Sequence, residues 1–358
     1  MSPISIEQLQ MASTQEHLSL GASVYALPEV IDPDHFKWKH FDSPYGPSLS
    51  ISLRNKDGQL IGRSLVQPRI FIGEGGDKLR GGIITDFVIS PKYRNPSAMI
   101  GMTIRMKSLP GYDLIAHTSN EKSELIYRDL FKFPVAFKLT AFGVPINITN
   151  LLKSRINLSW LIPIVAFPVN VFLKIFFKLG SFIFINLFKI RFDSSPNDED
   201  AEAILINFKK HAGVHFERKV PFLKWRFTSA PLFRGPVKWL WRNNQCLGYV
   251  AFRSVSIGGI SFLVIMDPVF LRPLAPFESI ALKFLCANLG YFLGSDIVFT
   301  MLNIANNALK TLKGFPFAPI PDRYLPHSTP LYIHKKENNL DANGLSTTFF
   351  TLADLDYF

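Results

Sequence analysis

Apolar residues along the chain follow patterns that predict an alternation of strands and helices. Residues 81–90 are apolar and β-branched, as in a buried strand, and Pro91 ends the strand because proline cannot donate to a ladder. Pro96 suits the first turn of a helix, and residues 97–107 carry apolar side chains at helical spacing. The same patterns predict further strands over 48–53, 59–69 and 112–118 and a helix over 201–211.

The longest apolar stretch covers residues 156–192 in the middle of the chain. Residues 156–173 carry no charge, and the length of this uncharged stretch is close to that of a membrane span. Pro163 and Pro168 are expected to interrupt a helix there. Lys174, Lys178 and Lys189 fall within about 60° of one another on a helical wheel, which is typical of a basic amphipathic helix at a membrane surface.

We therefore expect residues 156–192 to contact an anionic membrane surface, as a helix pair lying on it or as a re-entrant hairpin. A single span would place the two halves of the chain on opposite sides of the membrane, where they could not share one cleft. The alternative is a helix pair buried between the two halves.

Composition excludes several classes of protein. Hydrophobic residues make up 47% and charged residues 19%, so the chain is not disordered, and its net charge of +11 favours anionic partners such as CoA, an anionic membrane or RNA. Two cysteines outside any metal-binding spacing predict a reducing compartment. No basic region followed by an apolar run opens the chain, and no P-loop, HExxH or GxSxG motif occurs. We expect a cytoplasmic protein without a metal.

Several landmarks occur twice in the same order, which predicts an internal duplication. The fold class expected is α/β (α+β), with two tandem modules that each contain a mixed, mostly antiparallel sheet flanked by helices. The predicted domains are 1–150, a hydrophobic and basic helical segment 151–195, and 196–358. The paired landmarks are Trp38 with Trp225, Gly81-Gly82 with Gly258-Gly259, Ser90-Pro91 with Asp267-Pro268, Asp113 and Asn120 with Asp296 and Asn303, and Phe133-Pro134 with Phe315-Pro316.

The turn after residue 90 has the chemistry of an anion site. A strand that leads directly into a helix presents backbone N–H groups and the positive end of the helix dipole, and Arg94 adds a cation. The segment Val88-Ile89-Ser90-Pro91-Lys92-Tyr93-Arg94, followed by Asn120, Tyr127 and Lys132-Phe133, resembles the acyl-CoA-binding core of the GNAT (Gcn5-related N-acetyltransferase) superfamily. The sequence departs from the family at two loop positions, where Ser97 and Met99 replace glycines.

The resemblance implies a role for each matching residue. Backbone amides of Phe87, Val88 and Ile89 would bind the thioester carbonyl, and Tyr127 would protonate the leaving thiolate or pack on the sheet. Asp86 or His117 would serve as the general base, or Asp86 would instead face solvent or pair with a nearby Arg or Lys. The remaining implied cofactor contacts are Arg94, Asn95, Ser97 and Ala98 at the pyrophosphate, and Asn120, which would contact the pantetheine or only cap its helix.

These expectations define an acyltransferase of the GNAT type, with acyl-CoA or acetyl-CoA as donor. The expected acceptor is an amine on a sugar, a lipid-linked intermediate or an amino-acid derivative, and the enzyme would be peripheral at the inner face of the cell membrane. The second module, with Lys310 where the first has Tyr127, is expected to have lost the cofactor and to shape the acceptor site.

Two alternatives remain open at this stage. FemABX-like transferases also pair two GNAT-like modules and use aminoacyl-tRNA, although no long helical hairpin is evident here. Outside that alternative, nucleic acid is not an expected partner. The second alternative is a non-catalytic GNAT-like binding module, which Ser97 and Met99 would favour.

Overall fold

A computed structural model describes residues 4–25, 28–119, 124, 126–156, 158–232, 235–321, 330–335 and 342–355. Its strands are, in chain order, β1 (Ile4–Gln8), β2 (Leu49–Arg54), β3 (Leu60–Ile72), β4 (Lys78–Ile89), β5 (Leu114–Thr118), β6 (Val135–Lys138), β7 (Thr140–Pro145), β8 (Ile190–Asp193), β9 (His215–Phe216), β10 (Val237–Arg242), β11 (Gln245–Ile257), β12 (Ile260–Phe270), β13 (Ile297–Leu302), β14 (Ala318–Pro319) and β15 (Pro330–Lys335).

The helices alternate with these strands as the apolar patterns predict. They are α1 (Thr14–Ala22), α2 (Pro28–Ile31), α3 (Pro33–His40), α4 (Pro96–Lys107), α5 (Thr149–Lys153), α6 (Leu161–Asn186), α7 (Asp198–Ala212), α8 (Val220–Leu223), α9 (Pro276–Phe292) and α10 (Ala342–Ser346). Two single π-helical turns occur at Ile126–Leu130 and Lys224–Thr228.

The chain divides into two compact units that do not follow the predicted domain boundaries. The first unit comprises residues 1–138, 214–234 and 328–346, and the second comprises 139–213, 235–327 and 347–358. Each unit therefore contains segments that are distant in sequence. The predicted boundaries at 150 and 195 assumed that each domain is one continuous segment, and the structure has no such division.

Each unit contains one mixed sheet, and the two sheets have the same topology. The first has the order β1-β2-β3-β4-β5-β15-β6, with β9 also paired to β3, and the second has the order β8-β10-β11-β12-β13-β7-β14. One pair in each sheet is parallel, β4 with β5 and β12 with β13, and the other pairs are antiparallel. Strand β7 holds the place in the second sheet that β15 holds in the first, so each sheet includes a strand from the other half of the sequence.

The hairpin of β2 and β3 shows how local sequence sets the register. The side chain of Asn55 accepts hydrogen bonds from the amides of Asp57 and Gln59, and Gly58 has a φ of +82°, which favours glycine. Side chains on both strands are mostly buried, so the pairing places the apolar pattern predicted over 48–53 and 59–69 in the core.

The apolar middle segment forms one continuous helix, α6, instead of a pair. Pro163 lies in its first turn, where the missing N–H costs little, and Pro168 is accommodated inside the helix. The expectation that these prolines interrupt the helix is wrong. Among the described residues, α6 is the one helix long and apolar enough to cross a membrane, and 17% of its most apolar window is buried.

The buried side of α6 is not the side that the sequence pattern suggested. Phe177 and Gly180 pack on Phe284 of α9, where any side chain at position 180 would collide with the Phe284 ring. Ser181 is buried and donates a hydrogen bond to the Phe284 carbonyl. Ser181 thus faces the rest of the second unit, whereas Lys174 and Lys178 are exposed, as are most of the bulky apolar side chains of the helix. Lys189 lies beyond the end of the helix.

Candidate active site

An opening lies between β4 and β5 in the first sheet. The two strands pair only from Gly81–Ile83 to Leu114–Ala116, although β4 continues to Ile89 and β5 to Thr118. Beyond these pairs no ladder joins the two strands, and this unpaired stretch is the opening, where backbone groups are free of the parallel ladder. A ligand that enters between the strands would meet these groups.

A β-bulge in β4 lies at this opening. Val88 pairs with Arg63 and Thr85 pairs with Leu65, so Asp86 and Phe87 together lie opposite the single residue Ser64. Asp86 has a φ of +49°, a left-handed conformation that is costly for most side chains but tolerated by aspartate. A bulge leaves its extra residue outside the ladder and redirects the strand. The predicted carbonyl-binding amides of Phe87, Val88 and Ile89 are at or directly after it.

Three basic side chains surround the Asp86 carboxylate. Lys39 Nζ lies 3.0 Å from Oδ1, His40 Nε2 lies 3.0 Å from Oδ2, and Arg63 Nη2 lies 3.9 Å from Oδ2. Burial alone would raise the pKa of the Asp86 carboxyl, but Lys39, His40 and Arg63 hold it well below its usual range. A carboxylate stabilised in this way has little tendency to take a proton, so the geometry does not favour Asp86 as the general base.

His117 lies on β5 within an aromatic cluster. Its ring stacks on Tyr332 of β15 with centroids 5.0 Å apart, and Tyr127 and Phe133 lie 4.4 Å and 5.0 Å away. Neither ring nitrogen of His117 has a hydrogen bond within the described part of the chain. Burial, with a smaller effect from His334, lowers the pKa of His117 to about 3. The imidazole is neutral at physiological pH and is a weak base.

Tyr127 lies in the π-helical turn at Ile126–Leu130 and is 7% exposed. The structure thus brings Tyr127 and His117, two residues predicted for the site, into contact. Asn120 lies outside the described residues, so neither of its predicted roles is assessed.

Some of the backbone amides at the start of α4 already have hydrogen-bond acceptors within the helix cap. The Asn95 side chain accepts a hydrogen bond from the Ala98 amide at 2.9 Å, and the Met99 amide donates to the Asn95 carbonyl. Pro96 has no N–H to donate. The Ser97 amide has no hydrogen-bond acceptor among the described residues, so it could donate to a ligand. Because Asn95 occupies the Ala98 amide, Asn95 and Ala98 do not offer an open phosphate site as the resemblance implied.

Arg94 is exposed and lies beside the same turn. Its guanidinium donates to the Ile89 carbonyl at 3.3 Å, which leaves other donors of the fork directed to solvent. An anion at this turn would thus contact Arg94 and the Ser97 amide.

The corresponding turn, after β12 of the second sheet, holds a carboxylate of the protein itself. Glu278, in the first turn of α9, accepts hydrogen bonds from the Ala275 amide, from Arg272 at 2.8 Å and from Arg242 at 3.0 Å. Its side chain has no exposed surface. An internal carboxylate therefore occupies the helix N-terminus and neutralises the nearby arginines.

The strand registers revise two of the paired landmarks. Ile83 pairs with Ala116 and Val264 pairs with Phe299 in the parallel ladders, so Asp86 corresponds to Asp267. The predicted matches of Ser90-Pro91 with Asp267-Pro268 and of Gly81-Gly82 with Gly258-Gly259 are wrong. Pro268 lies inside β12, and Gly258-Gly259 form the turn between β11 and β12.

Sequence reasoning missed the residues that fix the site from elsewhere in the chain. Lys39 and His40 belong to a basic, aromatic stretch that precedes β2, and only their charge signalled a role. Tyr332 carried no signal, because it reaches His117 through a strand pairing across more than half of the sequence.

By sequence the chain matches no family model and no curated protein. Its structure is similar to that of Saccharomyces cerevisiae N-myristoyltransferase with bound myristoyl-CoA, with a TM-score of 0.56 and 9% identity over 98% of this chain and 89% of that one. The chain has the fold of the GNAT transferases. A GCN5-related N-acetyltransferase from Anabaena variabilis is also similar, with a TM-score of 0.55 and 12% identity over 92% of this chain and 72% of that one. The predicted tandem GNAT-like fold is confirmed, and the strand opening and bulge lie within it.

Proposed function

We propose that the protein is an acyl-CoA-dependent N-acyltransferase whose site is the opening between β4 and β5. The observation that carries the proposal is the bulge at Asp86, which takes the amides around Phe87 out of the ladder at the point where the strands separate. Preorganised amides of this kind stabilise the oxyanion that forms on a thioester carbonyl during acyl transfer.

The donor would be acetyl-CoA or a longer acyl-CoA. One similar structure contains myristoyl-CoA, which supports a CoA thioester as the ligand of this fold. Arg94 and the Ser97 amide are the groups that would meet its phosphates, and Asn95 would act as a helix cap instead of a ligand. The reaction proposed uses no metal.

Tyr127 is the proposed acid. The unprotonated amine of the acceptor attacks the thioester carbon, a C–N bond forms, and the C–S bond breaks as the thiolate takes a proton from Tyr127. The proton released from the new amide nitrogen then restores the Tyr127 hydroxyl. Asp86 and His117 would position the bulge and the Tyr127 ring and would not act as bases.

Titration calorimetry with acetyl-CoA and myristoyl-CoA tests the donor. We expect heat of binding and a raised unfolding temperature with at least one of them, and no response to either would refute the proposal. Tyr127→Phe should lower the acyl-transfer rate while leaving donor affinity and unfolding temperature unchanged. An unaltered rate would remove Tyr127 from the mechanism.

We further propose that the two modules arose by duplication. In the first, the Asp113 side chain accepts from the Arg80 amide at 2.7 Å, and the Asp113 amide donates to the Arg80 carbonyl. In the second, Asp296 makes the same two hydrogen bonds with Ser261. This repeated motif, together with the common strand order, supports the duplication. The Glu278 carboxylate supports the view that the second module has lost its cofactor.

The proposed acceptor is an amine on a sugar, a lipid-linked intermediate or an amino-acid derivative at the inner face of the cell membrane. The outward side of α6 supports contact with that membrane, because Phe167, Phe172 and Phe182 are each more than 60% exposed. Replacing these three residues by serine should abolish flotation of the protein with liposomes. Unchanged flotation would refute membrane contact through α6.

An aminoacyl-tRNA donor is the second candidate. The observation that favours it is the capped start of α4, where Asn95 takes an amide that a pyrophosphate would otherwise use. Retention of tRNA that weakens steeply with salt, without any response to acyl-CoA, would support this candidate. A non-catalytic binding module would show donor affinity without transfer to any amine.

A further inference from the structure

A cavity of about 430 Å³ opens beside α6 in the second unit. It lies between the start of α5 and the first half of α6, and one residue of α9 completes it. Its walls combine polar and apolar side chains, among them Asn147, Thr149, Phe167, Asn170, Lys174 and Tyr291. No role in acyl transfer has been given to any of them.

The polar end of the cavity is fixed by Asn170. Its side-chain oxygen accepts from the Ile148 amide at 2.8 Å, and its nitrogen donates to Asn147 Oδ1 and to Thr149 Oγ1, both at 2.9 Å. These bonds tie the start of α5 to α6. The polar end of the cavity is therefore a formed feature of the fold.

Lys174 is the cation of this cavity. Its ammonium lies 5.2 Å from the centre of the Tyr291 ring and makes no ion pair among the described residues. No aspartate or glutamate occurs between residues 130 and 192, so the surrounding segment offers the lysine no counter-ion. A cation that is held over an aromatic ring without an acidic partner is suited to an external anion.

The apolar side of the cavity continues onto the outward face of α6. Phe167 lines the cavity and is 72% exposed, and Ile164 on the preceding turn is 61% exposed. Apolar surface of this extent would be covered by hydrocarbon more favourably than by water. The cavity thus presents one cation next to a long apolar surface.

We propose that this cavity binds the anionic headgroup of a membrane lipid, with Lys174 at the headgroup and the acyl chain along the outward face of α6. The inference rests on the membrane contact proposed above and adds a defined lipid site to it. An apolar partner helix would cover the same face but would leave Lys174 without a counter-ion.

Soluble amphiphiles test the site without a bilayer. We expect dodecyl phosphate to bind in calorimetry more tightly than dodecyl maltoside, which has a neutral headgroup. Lys174→Gln should weaken dodecyl phosphate binding about fivefold, the effect of roughly one lysine at an anionic surface. Lys178→Gln is the matched control, because Lys178 lies one turn further along α6 and does not line the cavity, and it should bind as the wild type does. Equal losses in both variants, or none in either, would overturn the site.

Two further experiments distinguish a lipid headgroup from free phosphate as the ligand of the cavity. Inorganic phosphate alone should not displace dodecyl phosphate, and displacement would assign the site to a free phosphate. Vesicles of phosphatidylcholine with phosphatidylglycerol should recruit the wild type more than Lys174→Gln, whereas vesicles of phosphatidylcholine alone should recruit both equally. Absence of binding to either kind of vesicle would refute the membrane contact, while the amphiphile result would still decide whether the cavity holds an anionic headgroup.

Discussion

Replacing Asp86 by asparagine tests the arrangement that holds the bulge of β4. Asparagine has nearly the same shape and also tolerates a φ of +49°, so the change removes the negative charge without adding backbone strain. Lys39 and Arg63, whose side chains are 9% and 0% exposed, would then both lose the carboxylate that they face. We therefore expect a large loss of stability in Asp86→Asn.

The magnitude follows from the burial of the partners. Removing one member of a buried ion pair costs about 3–5 kcal/mol, because the remaining charge is left uncompensated. With a shift of roughly 2–4 °C per kcal/mol for a unit of 150–250 residues, the unfolding temperature should fall by about 6–20 °C. Differential scanning calorimetry measures the change. Asp129→Asn is the control, because Asp129 pairs with Arg128 on the exposed surface and its loss should produce no measurable change.

The pH dependence gives a second check with a defined sign. The pKa of Asp86 in the folded protein is well below the value of an unfolded chain, so its stabilising effect is present above about pH 4 and is lost as pH falls through the folded pKa. The gap in stability between wild type and Asp86→Asn should be constant near neutral pH and should narrow only in acid. An equally stable variant that has lost the acidic limb of its pH–rate profile would refute the structural role and restore Asp86 as a base.

Three further predictions concern other parts of the fold. Phe284→Ala should destabilise the second unit by about 3–5 kcal/mol in chemical denaturation, because Phe284 is 5% exposed and anchors α6; a change below 1 kcal/mol would contradict this packing. His117→Phe should lose less stability in acid than the wild type, by up to about 1.4 kcal/mol per pH unit between pH 6.5 and the folded pKa of His117 of about 3, since the unfolded wild type binds one more proton there; equal acid sensitivity of the two proteins would argue against a buried neutral imidazole. Glu278→Gln should lower the unfolding temperature and create weak binding of inorganic pyrophosphate at Arg272, detectable by calorimetry; a variant that is unaffected in both would show that Glu278 does not occupy an anion site.

Local sequence predicted most of the elements that build the candidate site. The strand ending before Pro91, the helix beginning at Pro96 and the strand ending at Thr118 follow from apolar periodicity and from where proline is allowed. These signals are local, since each depends on neighbouring residues. The resemblance to GNAT proteins depended on the same elements, and the fold it implied is confirmed.

Tertiary structure alone decided how distant segments combine. The exchange of β7 and β15 between the sheets places Tyr332 beside His117, and α3 brings Lys39 and His40 to Asp86. The apolar periodicity of the sequence does not predict these pairings. The edge of a strand can pair with many other strands, and a charged side chain can pair with any opposite charge, so neither identifies its partner in the sequence. The sequence by itself determined the elements, whereas the position of the opening after Ile83 and the state of the charged groups beside it depended on the partners that folding brought to them.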